Sequence, residues 1–253
     1  MRGRGGWAMP RAMADDLYSR FARSFATHAS RTFIEEPARS WTYGEVESAA
    51  ARLAARLRAM GLKPGERLLA QTEKAVEAVI LYIACVRAGG IYLPLNIDYT
   101  EAELAYFVAD AEPVLAVCRE GSRDLFVRIG GGALRIETLA SLFAGLGDET
   151  ADPVARQPDD VAAILYTSGT TGRPKGCMLS QRYELAAGAW YATRGGLAAF
   201  EEGQERIYNP LPLFHINSSV FSLFCAMLKG NCQIQTDRFQ ASRWFTEVHE
   251  SRA

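Results

Sequence analysis

The sequence predicts an α/β fold of layered, mostly parallel sheets. Three observations carry this expectation. Short apolar runs of strand length alternate with longer stretches of helical periodicity. Two of the helical stretches open on a capping box, Thr42-Tyr-Gly-Glu45 and Thr100-Glu-Ala-Glu103. Glycine and proline punctuate the intervals at Gly61, Pro64-Gly65 and Gly89-Gly90, where connections between elements are needed.

After Thr42, residues Val46, Ala49, Ala50, Leu53, Leu57 and Met60 recur at helical spacing, and Gly61 ends the run. Arg67 to Gln71 reads as a short strand. Ala75 to Ala88 is apolar on nearly every side, as a fully buried helix is. Ile91 to Leu93 reads as a strand before Pro94, and the second capping box starts a helix reaching about Asp110. Val114 to Cys118 follows as a buried strand. Between Glu120 and Asp160 the pattern weakens, and Gly130-Gly-Gly132 and Gln157-Pro-Asp-Asp160 read as connections. A subdomain boundary is placed near residue 155. This gives a disordered leader over 1–14, a first α/β subdomain over 15–155 and the start of a second over 156–253. In the latter, Val161 to Tyr166 is a strand, a helix starts near Ser180, and Arg206 to Asn209 is a strand. A helix over Ser218 to Lys229, a strand over Cys232 to Gln235 and a helix over Ser242 to Glu250 complete the chain.

The 28 basic and 29 acidic residues leave a net charge of -1, so no broad positive field draws in nucleic acid. The five cysteines are odd in number and lack CxxC spacing, which suits reduced, mostly buried thiols and a cytoplasmic location. The longest apolar run, Ala78 to Val86, is too short to span a bilayer. The basic, glycine-rich first dozen residues lack the apolar core of a secretory signal, and no amphipathic pattern is expected to follow them. Met9 and Met13 are read as alternative starts.

Thr167-Ser-Gly-Thr-Thr-Gly-Arg-Pro-Lys-Gly176 concentrates the chemistry. Its glycines let backbone N–H groups approach a ligand closely. Thr167, Ser168, Thr170 and Thr171 supply hydroxyl donors for anionic oxygens, and Lys175 adds a mobile positive charge. The loop follows a strand, where α/β sheets place their ligands. These features describe a polyphosphate cradle. It is not a Walker A loop, because Pro174 rather than glycine precedes the lysine.

The stretch from Tyr166 to Gly176 resembles the signature of the adenylate-forming superfamily, which includes acyl-CoA synthetases, luciferases and peptide-synthetase adenylation domains. Asn209-Pro-Leu-Pro-Leu-Phe-His-Ile-Asn217 resembles the family segment that borders the acyl and adenylate pocket. By that resemblance His215 lies beside the carboxylate and the α-phosphate; the alternative is a structural histidine capping the next helix. His28 and His249 have no such context and are expected at the surface. Leu17 to Cys118, with Gln71-Thr-Glu-Lys74, is most similar to malonate–CoA ligases. The later block, from Phe214 to Trp244, is more similar to carnitine- or crotonobetaine–CoA ligases.

The resemblance implies an ATP-dependent acid–CoA ligase with ATP, Mg2+ and CoA as cofactors or co-substrates and a small carboxylic acid as partner. The acid attacks the α-phosphorus to form an acyl-adenylate and pyrophosphate, and the CoA thiolate then displaces AMP. Thr167, Ser168, Gly169, Thr170, Thr171, Gly172 and Lys175 would hold the phosphates, with Lys175 and His215 as the catalytic pair. A carrier-protein acceptor and a non-catalytic nucleotide-binding fragment are the alternatives. Family members are roughly twice this long. Their adenine-binding Tyr-Gly-x-Thr-Glu segment, ribose aspartate and C-terminal domain are expected beyond residue 253. An N-terminal fragment, inactive alone and with an incomplete sheet, is therefore the expectation.

Overall fold

The computed structural model describes residues 16–167, 173–196, 199–236 and 239–253. Helix α1 (Leu17–Thr27) leads into strands β1 (Thr32–Glu35) and β2 (Ser40–Thr42), helix α2 (Tyr43–Ala59) and strand β3 (Arg67–Gln71). Then come α3 (Val76–Arg87), β4 (Ile91–Pro94), α4 (Glu101–Ala111), β5 (Leu115–Cys118), α5 (Arg123–Gly130), β6 (Arg135–Thr138) and α6 (Leu139–Ala144). The remainder is β7 (Val161–Thr167), β8 (Lys175–Ser180), α7 (Gln181–Thr193), β9 (Arg206–Asn209), α8 (Leu223–Leu228), β10 (Cys232–Gln235) and α9 (Trp244–Ser251).

The strands form two sheets, ordered β2-β1-β10-β9 and β6-β5-β3-β4-β7-β8. All neighbours are parallel except β1–β2 and β7–β8. The larger sheet is doubly wound: β4 lies on one side of β3, and the chain returns to lay β5 on the other. Residue 155 falls between strands that share both sheets, since β7 pairs with β4 and β10 pairs with β1.

Strand side chains alternate between faces, and the larger sheet uses both. Leu68, Tyr92, Leu115 and Val117 join one core cluster with α1, α2, α3 and Phe224 of α8. Leu69, Leu93, Ala116 and Cys118 point to the other face, where Leu104 and Phe107 of α4 and Phe126 of α5 cover them. Because both faces are covered, these strands read as continuous apolar runs. Helix α3 lies inside the first cluster and is buried along its whole length except at Glu77. Its last residue, Arg87, is buried among acceptors: Glu47 Oε1 at 2.6 Å, the Ala151 carbonyl at 2.7 Å and the Tyr18 hydroxyl.

Both expected capping boxes form. Thr42 Oγ1 accepts from Glu45 N at 3.1 Å and Glu45 Oε2 accepts from Thr42 N at 2.8 Å; Thr100 and Glu103 repeat the arrangement. Other expectations are corrected. An amphipathic helix does follow the first fifteen residues: Leu17, Tyr18, Phe21 and Phe25 of α1 are buried on one side. The weak stretch 120–160 holds α5, β6 and α6, all short, with Gly131 and Gly132 at φ 60° and 80° closing α5. The helix expected from Ser218 begins as a wide π-turn, Asn217–Ser222, before α8.

His28 is not at the surface. Its ring is buried 5.7 Å from that of Tyr43, and it packs so closely on Gly230 that a Cβ there would come within 2.6 Å of the imidazole. His249 is exposed. Four cysteines are buried and Cys177 is exposed. Among the described residues, no helix is long and apolar enough to cross a membrane.

Candidate functional site

The glycine-rich loop joins two antiparallel strands, a strand β8 that the sequence did not announce. Thr167 pairs directly with Lys175, Tyr166 with Gly176 and Leu165 with Cys177. Directly opposed residues of antiparallel strands project to the same face, with Cβ atoms about 5 Å apart. Thr167 and Lys175, both exposed, therefore leave the base of the loop on one face, where the Thr167 hydroxyl lies 3.9 Å from Cys177 Sγ. Arg173 is exposed beside them. Ser168, Gly169, Thr170, Thr171 and Gly172 lie outside the described residues.

Helix α4 anchors both feet of the hairpin. Tyr106 donates its hydroxyl proton to the Pro174 carbonyl at 3.0 Å. Tyr166 donates to Asp110, and its ring lies 4.4 Å from that of Phe107. Burial, then the Asp110 carboxylate, raises the Tyr166 phenol well above its usual range, so it stays a donor. Gly176 lets the strands close here: a Cβ would sit 3.0 Å from Ile164 and 3.4 Å from the Tyr166 ring.

A cleft of about 400 Å3 opens at the carboxyl ends of β3 and β4. Thr72, Lys74, Tyr92 and Leu95 to Asp98 form one side, and Pro210 to Phe214 with Phe239 form the other. Strands β4 and β7 are parallel neighbours, so the cleft and the glycine-rich loop lie at the same end of one sheet. That end is where α/β sheets bind ligands. The lining is mostly apolar, with Lys74 and Asp98 as its charged members. Lys74 Nζ donates to the Asn209 carbonyl and joins the two sides.

The segment after β9 is tied down internally. Asn209 Nδ2 donates to Ser218 Oγ at 2.8 Å, and Ser218 Oγ donates to the Leu211 carbonyl at 2.9 Å. Phe214 lines the cleft, whereas the next residue, His215, is exposed. The His215 carbonyl accepts from Ser218 N at 2.9 Å and Ser219 N at 3.0 Å, so its backbone starts the following helix. The imidazole takes no part in that cap. Among the described residues no hydrogen bond or ring contact links His215 to Thr167 or Lys175. The structure thus pairs Thr167 with Lys175, and His215, exposed, follows the last cleft-lining residue of its segment, Phe214. Lys74, Tyr106, Asp110 and Ser218 carry no sequence signal for these roles.

Among the described residues, no group of three or more His, Cys, Asp or Glu side chains could hold a metal ion.

The AMP-binding enzyme family model matches residues 21–253. This chain belongs to the AMP-binding enzyme family. Its curated relatives include an L-proline–[L-prolyl-carrier protein] ligase of Pseudomonas fluorescens, 30% identical over 85% of this chain and 43% of the relative. A feruloyl-CoA synthase of Amycolatopsis is 29% identical over 99% and 47%. Among solved structures, ATP-bound MatB from Rhodopseudomonas palustris is 34% identical, with a TM-score of 0.80 over 92% of this chain and 48% of that one. The chain therefore spans a little under half the length of these three proteins. The family comprises ligases that join acids to CoA or to carrier proteins, and the fold is that of its adenylate-forming N-terminal domain.

Proposed function

We propose that these residues form the phosphate and acid side of an ATP-dependent carboxylic acid–CoA ligase that works through an acyl-adenylate. One observation carries the reading. The closing pair of the hairpin projects Thr167 and Lys175 from one face, at the base of a glycine- and hydroxyl-rich loop and at the same sheet end as the cleft.

The chemistry follows from charge. Attack of a carboxylate on the α-phosphorus drives negative charge onto the departing pyrophosphate. Lys175, the hydroxyls of Thr167, Ser168, Thr170 and Thr171, and the amides of Gly169 and Gly172 would stabilise that charge through preorganised donors. The cleft would take the acid, excluding water with its apolar walls, while His215 would donate to the reacting carboxylate from the cleft's edge. The thiol of CoA would then displace AMP.

The test is acid-dependent ATP–pyrophosphate exchange in the whole protein, with malonate, carnitine and crotonobetaine as the acids. Lys175→Ala should slow exchange about a hundredfold, the loss typical of removing one preorganised donor. Unchanged kinetics would remove Lys175 from the site. Thioester formation on CoA, as against a phosphopantetheinyl carrier protein, decides the acceptor. The 253 residues alone are expected not to support exchange, since they contain no Tyr-Gly-x-Thr-Glu segment. Robust exchange by them would overturn that expectation.

A further inference from the structure

We propose that Asn209 and Ser218 are positioning residues that close residues 210–217 into a rigid loop and so hold His215 at the edge of the cleft. The inference rests on the adenylation reading for what His215 does, and on geometry alone for how it is held.

Both side chains are buried, Asn209 at 2% exposure and Ser218 at 0%. They are bonded to each other at 2.8 Å, and Asn209 Nδ2 also reaches the Ser218 carbonyl at 3.3 Å. Ser218 Oγ passes its own proton to the Leu211 carbonyl at 2.9 Å, inside the loop they close. The Asn209 amide and the Ser218 hydroxyl thus both donate within the segment. From the other side of the cleft Lys74 Nζ donates to the Asn209 carbonyl, which registers the clamp against β3.

The surroundings are apolar: Val220 and Leu223 nearby are 2% and 1% exposed. An apolar pair of similar shape would close the same loop with little or no loss of stability. A directional pair adds one geometry rather than many, because each misaligned alternative leaves a buried polar group unpaired. Pro210 and Pro212 remove two further backbone freedoms between the ends. The π-turn Asn217–Ser222 sits where Ser218 turns back to Asn209, and such wide turns occur frequently at functional sites. The clamp encloses the cleft-lining Leu211 to Phe214 and the exposed His215, whose carbonyl starts the following helix and whose ring lies 5.7 Å from that of Phe214.

The experiment uses the histidine resonances of the intact protein. The chain has three histidines, and the buried His28 and exposed His249 serve as internal controls. The variants are Ser218→Ala, Asn209→Ala, Ser218→Thr and the double change Asn209→Leu/Ser218→Ala. The two alanine variants should displace or broaden the His215 Cε1–H signal and leave those of His28 and His249 in place. Ser218→Thr, which keeps the hydroxyl, should restore it. The double change replaces the polar pair by apolar groups, so its melting temperature should return close to that of the parent while the His215 signal stays displaced. A merely structural pair predicts the opposite: once stability returns, the signal returns. That result would overturn the proposal, as would a His215 signal unmoved in both alanine variants. With whichever of malonate, carnitine or crotonobetaine drives exchange, kcat should fall about tenfold in Ser218→Ala with the KM for ATP unchanged. If none of the three acids drives exchange, the adenylation reading loses its support, and the histidine spectra still decide the clamp.

Discussion

Glu184 sits on α7 with no exposed atom to speak of, 1% accessible, and the Tyr82 hydroxyl of α3 donates to its Oε2 at 2.6 Å. Burial pushes its carboxyl up to about 7 from the usual 4.5, against the smaller downward pull of the Tyr82 hydrogen bond. The groups facing it from α3, Tyr82 and Cys85, are themselves held neutral by burial, so no cation offsets the cost. Below pH 4.5 the folded and unfolded chains both carry the protonated acid, and the group costs nothing. As pH rises from 4.5 to 7, the unfolded chain ionises first and gains stability relative to the folded one. Above 7 both are ionised, and the penalty levels off. A difference of about 2.5 pH units is worth about 3 kcal/mol. Glu184→Gln keeps an acceptor for Tyr82 and removes the titration. Urea unfolding of parent and variant at pH 5 and pH 8 isolates this group, because all other titrations are common to both. The variant should gain about 2.5 kcal/mol on the parent between the two pH values, since the unfolded carboxyl is already partly ionised at pH 5. A difference between the two proteins that stays flat with pH would refute the reasoning.

Gly188→Ala should destabilise by about 1–3 kcal/mol despite alanine's better helix propensity, since the new Cβ would come within 2.6 Å of Phe224 Cβ where α7 crosses α8; a thermal melt reads the sign. Thr42→Ala should cost about 1 kcal/mol by removing the acceptor of the α2 capping box, seen as a lowered unfolding midpoint. Of the five thiols, Cys177 alone should react promptly with a thiol reagent in the native protein. Burial raises Cys118 and Cys232 to about 11 and Cys225 to about 12, so these, with Cys85, should react only on unfolding; counting labelled cysteines by mass before and after denaturant checks this.

Local elements were legible in the sequence because their causes are local. The capping boxes at Thr42 and Thr100 are contacts between residues three apart. The strands Arg67–Gln71, Arg206–Asn209 and Cys232–Gln235 have the very bounds that their apolar runs and flanking turns suggest. Elements with little contrast between faces were missed: β6 is a half-exposed edge strand, and α6 buries only Leu142. Helix α7, expected from near Ser180, starts at Gln181 although Gln181 and Glu184 lie on its buried side.

The loop from Thr167 to Gly176 needs no neighbours to be recognised, since its glycines, hydroxyls and lysine are consecutive. Family membership therefore follows from sequence alone. What the loop stands on does not. The antiparallel return of β8, the support from Tyr106 and Asp110, the Lys74 tie to Asn209 and the burial of His28 against Tyr43 all join residues far apart in the chain. Ile34 pairs with Gln233 although most of the sequence separates them. Such pairings leave no periodicity or spacing to read, because burial and strand order are set by which surfaces meet once the chain has packed. Tertiary structure alone decides that the hairpin and the cleft share one sheet end, and that Phe214 lines the cleft while His215 beside it is exposed.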